Sequence, residues 1–269
     1  MKAKLPSLNG LRALSILFVL IGHTELKSLH LSGDPAGAQI GVTIFFIISG
    51  FLITYLLMRE EQASDGRVSL KDFYIRRAFR IFPVYYTLLL VYLILQVLGF
   101  LQFTTASWIS SLTYTKYVNP RWSEWETGHL WSLSVEEQFY LVWPAVFYFL
   151  KRVRAPLAVA VIAVIPFVRL GGGYNAMHMF TRADALMGGC LLALYYERLR
   201  GALAKLPRAY LLLPFAGLLG SMMTKRIITL FFHENTQVER IAIAFGGSYG
   251  TLTANVLFPQ IVAGVGVPR

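Results

Sequence analysis

A single cysteine, Cys190, occurs among the 269 residues. No intramolecular disulfide can therefore form, and there is no CxxC zinc or redox motif. The five histidines show no HExxH spacing, so metal chemistry has no support in the sequence. Charge is also scarce. Asp, Glu, Lys and Arg make up 14% of the chain, against about 25% in a typical soluble domain. The acidic residues are the scarcer sign, 14 against 25 Lys and Arg. What is abundant is apolar: 56% of the residues are hydrophobic. That composition excludes a disordered chain and disfavours a water-soluble globule.

The apolar residues fall in runs at 11–24, 40–58, 83–101, 130–150, 155–168, 183–196 and 210–223, with a weaker glycine-rich run at 241–267. Several are shorter than the ~20 residues that cross hydrocarbon as a helix, so flanking residues must extend them. The expected fold is all-α, a polytopic transmembrane helix bundle of about seven or eight spans. No internal repeat, low-complexity tract or linker interrupts it, and residues 1–269 read as one membrane domain in contact with the lipid bilayer.

The excess of +11 charges follows the positive-inside pattern rather than a nucleic-acid surface, and no nucleic-acid partner is expected. With Lys2 and Lys4 in the cytoplasm, the inner connections hold Arg59, Arg67, Lys71, Arg76, Arg77 and Arg80, then Lys151, Arg152 and Arg154, then Arg198, Arg200, Lys205 and Arg208. The outer connections hold fewer. Trp108, Trp122, Trp125 and Trp131 cluster around one outer loop, where indoles anchor at an interface. The N-terminus is thus expected in the cytoplasm.

Three segments carry polar groups where lipid would not accept them. Residues 11–22, LRALSILFVLIG, are followed by His23, Thr24 and Glu25. A signal peptide would need an A-x-A-like site after this core, and Arg12 breaks the apolar run. As a membrane helix, Arg12 and His23 project from one face, about 20° and about 16 Å apart. The imidazole then serves either a polar core or a reactive cavity. Residues 73–83, FYIRRAFRIFP, can lie along the cytosolic face as a lipid anchor, or group guanidinium forks that bind phosphate. In HLWSLSVEEQFYLVWP at 129–144, Glu136 and Glu137 sit within an apolar stretch. A charge there costs about 2.5–3.5 kcal/mol on insertion scales. Each glutamate faces a cavity or an arginine partner such as Arg80 or Arg12. Ser132, Glu136 and Tyr140 share one helix face. Asp184 reads as a structural residue near a span start.

The blocks SLNGLRALSILFVLIGH, IGVTIFFIISGFLITYLL, FYIRRAFRIFP and HLWSLSVEEQFYLVWP, in this order and spacing, resemble the acyltransferase-3 family of integral membrane proteins. That family includes O-acetyltransferases of lipopolysaccharide, peptidoglycan, exopolysaccharide and Nod factor. TRADALMGGCLLALYY extends the resemblance to about residue 196. Arg12 and His23 match the family's R-x10-H pattern, Arg77 and Arg80 its RxxR pattern, and Glu136 and Glu137 its SxEEQFY block. A G-R-x-S-Y-x-x-Y-L-x-H-like block typical of the C-terminal helices is missing, so the C-terminal part is expected to be truncated or divergent.

The resemblance implies transfer of an acyl group, usually acetyl, from cytosolic acyl-CoA to a hydroxyl of a cell-surface carbohydrate or lipid-linked glycan. It places the protein in the cell (inner) membrane as a multi-pass enzyme, with acyl-CoA as co-substrate and no other cofactor. Arg12, Arg76, Arg77 and Arg80 would hold the CoA phosphates. His23, with an ordinary pKa of about 6.5, would act as general base. Glu136 or Glu137 would orient the imidazole or bind the acceptor. Direct transfer and an acyl-histidine relay both fit. A transporter or flippase, and a remnant without activity, are the competing classes.

Overall fold

The computed structural model describes residues 6–23, 35–118, 124–171 and 179–203. The expected spans at 210–223 and 241–267, Lys2, Lys4, Trp122 and the side chain of His23 lie outside the described residues. Within them every regular element is helical. The elements are α1 (Pro6–His23), α2 (Pro35–Ala63), α3 (Leu70–Val97), α4 (Thr105–Leu112), α5 (Trp125–Gly128), α6 (Leu130–Phe149), a 3₁₀ turn at Lys151–Val153, α7 (Arg154–Leu170), α8 (Met179–Leu194) and α9 (Tyr196–Leu203). Three stretches are long and apolar enough to cross a membrane: Ala38–Ala63, Leu70–Val97 and Lys151–Leu170. Large apolar side chains stand exposed on two of them, among them Phe79, Val84 and Val97 on α3 and Val159, Val164 and Phe167 on α7. Water would disfavour such faces and hydrocarbon accepts them.

Local chemistry sets the helix ends. Pro6 and Pro35 open α1 and α2, where a missing N–H and a preset φ carry no penalty. Ser69 caps α3, its hydroxyl accepting from the Asp72 N–H at 3.3 Å. The basic segment before Pro83 does not form a separate surface helix. It runs on into the span as one 28-residue helix with Pro83 inside it. At 1.5 Å per residue this helix is about 42 Å long against about 30 Å of hydrocarbon. Roughly two turns must therefore extend past the hydrocarbon; Arg76 and Arg77 lie within the first two turns of α3, and Arg80 one turn further along.

The described residues fall into two compact units. One runs through Leu56 and resumes at Arg152; the other is Leu57–Lys151. The first contains α1, most of α2, and α7 to α9. Its helices approach through small residues. A methyl group on Gly41 of α2 would lie 2.6 Å from the Ser15 carbonyl oxygen of α1. Nine residues on, about half a turn out of phase, Gly50 meets α8: a methyl there would lie 2.0 Å from the Leu186 carbonyl oxygen, and one on Gly189 of α8 would lie 2.1 Å from that of Ile47. Backbone touches backbone, which is how membrane helices gain packing when lipid removes the hydrophobic drive between them. Ile47, Ile48, Phe51, Leu186 and Cys190 fill the seam. Its polar groups are paired. Arg169 of α7 donates to both carboxylate oxygens of Asp184 on α8, at 2.8 and 2.7 Å, and its Nε donates to the Thr181 carbonyl at 3.0 Å.

The second unit contains the end of α2 and α3 to α6. Tyr85, Leu89 and Leu130 form its centre, with Leu88, Tyr92, Trp108, Tyr114 and Leu133 around them. The connection after α3, expected as a loop, folds instead. Trp108 Nε1 donates to Gln96 Oε1 at 2.8 Å, Tyr85 donates to the Ser111 carbonyl at 2.8 Å, and the Tyr114 ring packs on Phe82. The contacts step backward along α3 as the chain moves forward, so α4 runs antiparallel to α3 and delivers Tyr114 against Phe82 and Tyr85.

Candidate active site

The α3–α6 seam of the second unit gathers the groups with reactive potential. The Tyr74 hydroxyl donates to the Leu141 carbonyl at 2.7 Å, which fixes the two helices in register. One turn toward the proline, the Arg77 guanidinium lies 4.0 Å above the Tyr140 ring, a cation–π contact that strengthens where water is excluded. Arg77 also acts electrostatically on the Glu137 carboxylate, with Glu136 opposing it. Adjacent glutamates point about 100° apart on a helix, and it is Glu137 that turns inward. Tyr114 and Tyr85 both feel the Glu137 charge, and their rings stack at 4.5 Å.

Three buried side-chain atoms of the described residues have no hydrogen-bond partner: Arg77 Nε, Tyr114 OH and Glu137 Oε1. All three belong to this unit. An unbonded buried polar atom costs roughly 1–3 kcal/mol, so three of them among mutually interacting residues form a costly arrangement. Chemically they are a cationic donor, a phenol that donates or accepts, and a carboxylate acceptor. Such a set can hold a ligand that carries both a hydroxyl and an acceptor oxygen.

Beneath the same segment lies a second polar cluster. Lys116, with its side chain fully buried, donates to Ser107 Oγ at 2.6 Å and stands 3.9 Å from Glu124. The Thr104 N–H and hydroxyl both donate to Glu124 Oε1 at 3.0 Å. Burial pushes the Lys116 ammonium down to about 8, with Glu124 opposing the shift. Burial alone would raise Glu124, but hydrogen bonds from Ser107 and Thr104 outweigh it and bring the carboxyl to about 2. The cluster ties both ends of the α4 connection together. A further tie runs to α6, where Tyr117 donates to Gln138 Oε1 and Gln138 Nε2 donates to the Tyr114 carbonyl at 3.1 Å.

The residues singled out from the sequence separate accordingly. Arg77 and Glu137 come together, and Arg77, rather than Arg80, is the arginine acting on the glutamate. Arg76 pairs with Glu60 at 2.9 Å while remaining largely exposed, and Arg80 is exposed on α3. Glu136 is half-buried on α6. Of the polar face drawn through Ser132, Glu136 and Tyr140, Tyr140 is buried against Arg77, whereas Ser132 donates to the His129 carbonyl. Arg12, half-buried, and His23 belong to α1 in the other unit. Asp184 is the structural residue expected, bound to Arg169. Tyr114, Lys116 and Gln138 were not singled out. The one signal for them was a lysine between two tyrosines, YTKY at 114–117.

A family model describing an acyltransferase domain, acyltransferase-3, matches residues 5–263, running well past the motifs that end near residue 196. The peptidoglycan O-acetyltransferase OatA of Listeria monocytogenes is 31% identical over 214 residues, covering 70% of this chain and 33% of that protein. The O-acetyltransferase OatA of Staphylococcus aureus is 28% identical over 285 residues, covering 96% of this chain and 45% of that protein. The chain thus spans a third to just under half the length of these relatives. No solved structure matches it.

Proposed function

Because the chain belongs to the acyltransferase-3 family, we propose that it is a membrane O-acyltransferase. It carries an acyl group, most simply acetyl, from acyl-CoA to a hydroxyl of a cell-envelope carbohydrate. The names of its relatives favour peptidoglycan as that acceptor over the other glycans the family modifies. In this reading the protein is a multi-pass inner-membrane enzyme of about seven or eight spans with its N-terminus in the cytoplasm, following the basic connections.

The observation that carries the reading is the α3–α6 seam: a guanidinium, a carboxylate and a phenol, each with an unbonded buried polar atom, next to exposed arginines at the projecting end of α3. Acyl transfer from a thioester requires the donor to be held, the acceptor hydroxyl to lose its proton, and the developing oxyanion to be stabilised. Arg80, with Arg76 and Arg12 as further cations, binds CoA phosphates by charge-assisted hydrogen bonds. Arg77, desolvated against Tyr140, places positive charge where an oxyanion develops. Glu137 accepts a hydrogen bond from the acceptor hydroxyl. His23 is the proposed general base, since imidazole is half-protonated near neutral pH, and Glu136 is the second carboxylate of the motif. The oxygen of the acceptor forms the new C–O bond, the thioester C–S bond breaks, and the CoA thiolate takes up the proton.

The test is binding followed by transfer. Acetyl-CoA should raise the unfolding temperature of the purified protein in detergent, because a ligand that binds only the folded state stabilises it. Arg80→Ala, a change at an exposed position, should keep the unliganded melting point and lose most of that ligand-induced shift. An unchanged shift in this variant would reject the phosphate role, and no shift in the parent protein would reject the acyl-CoA reading.

A further inference from the structure

α3 and α4 end in the same backbone device and fill it differently. Each closes with a left-handed residue whose N–H bonds back to the second residue from the helix end, while the next N–H reaches the third. On α3 the left-handed residue is Gly99, φ +81°, with the Gly99 N–H to the Gln96 carbonyl at 3.0 Å and the Phe100 N–H to Leu95 at 2.9 Å. On α4 it is Tyr114, φ 55°, with the Tyr114 N–H to Ser111 at 3.3 Å and the Thr115 N–H to Ser110 at 2.9 Å. Glycine adopts this conformation freely, whereas a bulky aromatic residue there is strained. The Tyr114 ring packs on Tyr85 and Phe82, its own carbonyl accepts from Gln138, and its buried hydroxyl interacts with Tyr86 but makes no hydrogen bond of normal geometry. Strain, aromatic packing and a buried hydroxyl without a well-formed hydrogen bond at one residue are the combination found where a side chain is positioned to contact a ligand.

We propose that the Tyr114 hydroxyl and the Glu137 carboxylate together seat the hydroxyl group of the acceptor. The phenol donates to the acceptor oxygen, Glu137 Oε1 accepts its proton in a hydrogen bond, and the Lys116 cluster holds the segment that presents Tyr114. The assignment rests on the acyltransferase reading. It adds the end of the molecule from which the acceptor enters: along α4, opposite in direction to the arginine-bearing start of α3. Both polar groups are then satisfied when the acceptor binds, and the hydroxyl is fixed for attack.

Tyr114→Phe separates this role from a structural one, because the ring, its stack and its backbone strain all remain. The test uses the full chain in detergent, with labelled acetyl-CoA as donor and a pentamer of N-acetylglucosamine as acceptor probe. Removing an unbonded buried hydroxyl should leave the unfolding temperature unchanged or raise it. The acetyl-CoA-induced thermal shift should persist, and transfer to the pentamer should fall about tenfold or more, the loss of one hydrogen bond in the transition state. Full transfer by the variant overturns the proposal, as does loss of the acetyl-CoA shift together with transfer, which would place Tyr114 on the donor side. A parent protein that binds acetyl-CoA but acetylates no pentamer overturns the acceptor seat and leaves the donor reading standing. A parent protein with no acetyl-CoA shift removes the functional reading itself, and this assignment with it.

Discussion

The two units bury polar groups in opposite ways. In the first, Arg169 and Asp184 satisfy one another, the Ser15 hydroxyl returns its bond to the Leu11 carbonyl at 2.8 Å, and glycines bring α2 against α1 and α8 with no space left between backbones. In the second, aromatic rings surround a cation, a carboxylate and a phenol whose facing atoms are unbonded, and a tyrosine occupies a backbone position suited to glycine. Full satisfaction makes the α2–α8 and α7–α8 contacts a rigid scaffold. Incomplete satisfaction costs stability and is retained where the missing partner is a substrate.

That contrast predicts stability losses without specific chemistry at the α2–α8 and α7–α8 contacts of the first unit, and chemical losses without unfolding at the second unit's seam. The largest stability effect should come from Asp184→Ala. It leaves the buried Arg169 charge without its carboxylate and should cost about 3–5 kcal/mol, read as a lower unfolding temperature in detergent. Gly189→Ala comes next. Its new methyl would meet the Ile47 carbonyl at 2.1 Å and force α2 and α8 apart, at about 1–3 kcal/mol, with acetyl-CoA binding by the surviving folded fraction unaffected. If Gly189→Ala melts like the parent, the dry, backbone-to-backbone seam is wrong.

A further effect lies in the Lys116 cluster and is visible as a pH dependence. Lys116 titrates near 8 in the fold and near 10.4 in the unfolded chain. Between those values the unfolded state binds more protons, so stability rises with pH across that window. Lys116→Met should abolish this alkaline rise. Glu124, held at about 2 by its hydrogen bonds, contributes stability that is present above its unfolded value and is lost as pH falls toward 2, so the acid limb should be shallower in Glu124→Gln. A parent protein whose stability is flat from pH 8 to 10 would show that Lys116 is solvated, and the tether would fail with it.

Much of the site could be read from the chain itself. Glutamates within an apolar helix are expensive enough to announce a cavity, and the RxxR spacing placed Arg77 and Arg80 about one turn apart. Which glutamate turns inward, and which arginine meets it, could not be read, because α3 and α6 make contact only after both are packed. Arg76 illustrates the same limit. Its spacing suited a phosphate ligand as well as Arg80 did, but gave no sign of Glu60, sixteen residues earlier, which pairs with it across the turn after α2.

Hydrophobic runs determined helices with apolar spans among the described residues, since that signal is written in neighbouring residues. The tertiary structure alone decided that the connection after α3 folds back along it, that Tyr114 takes a strained backbone, and that Gly50 and Gly189 bring α2 and α8 into one close contact. Each of these depends on groups far apart in sequence competing for one buried volume, and no local pattern encodes the outcome of that competition.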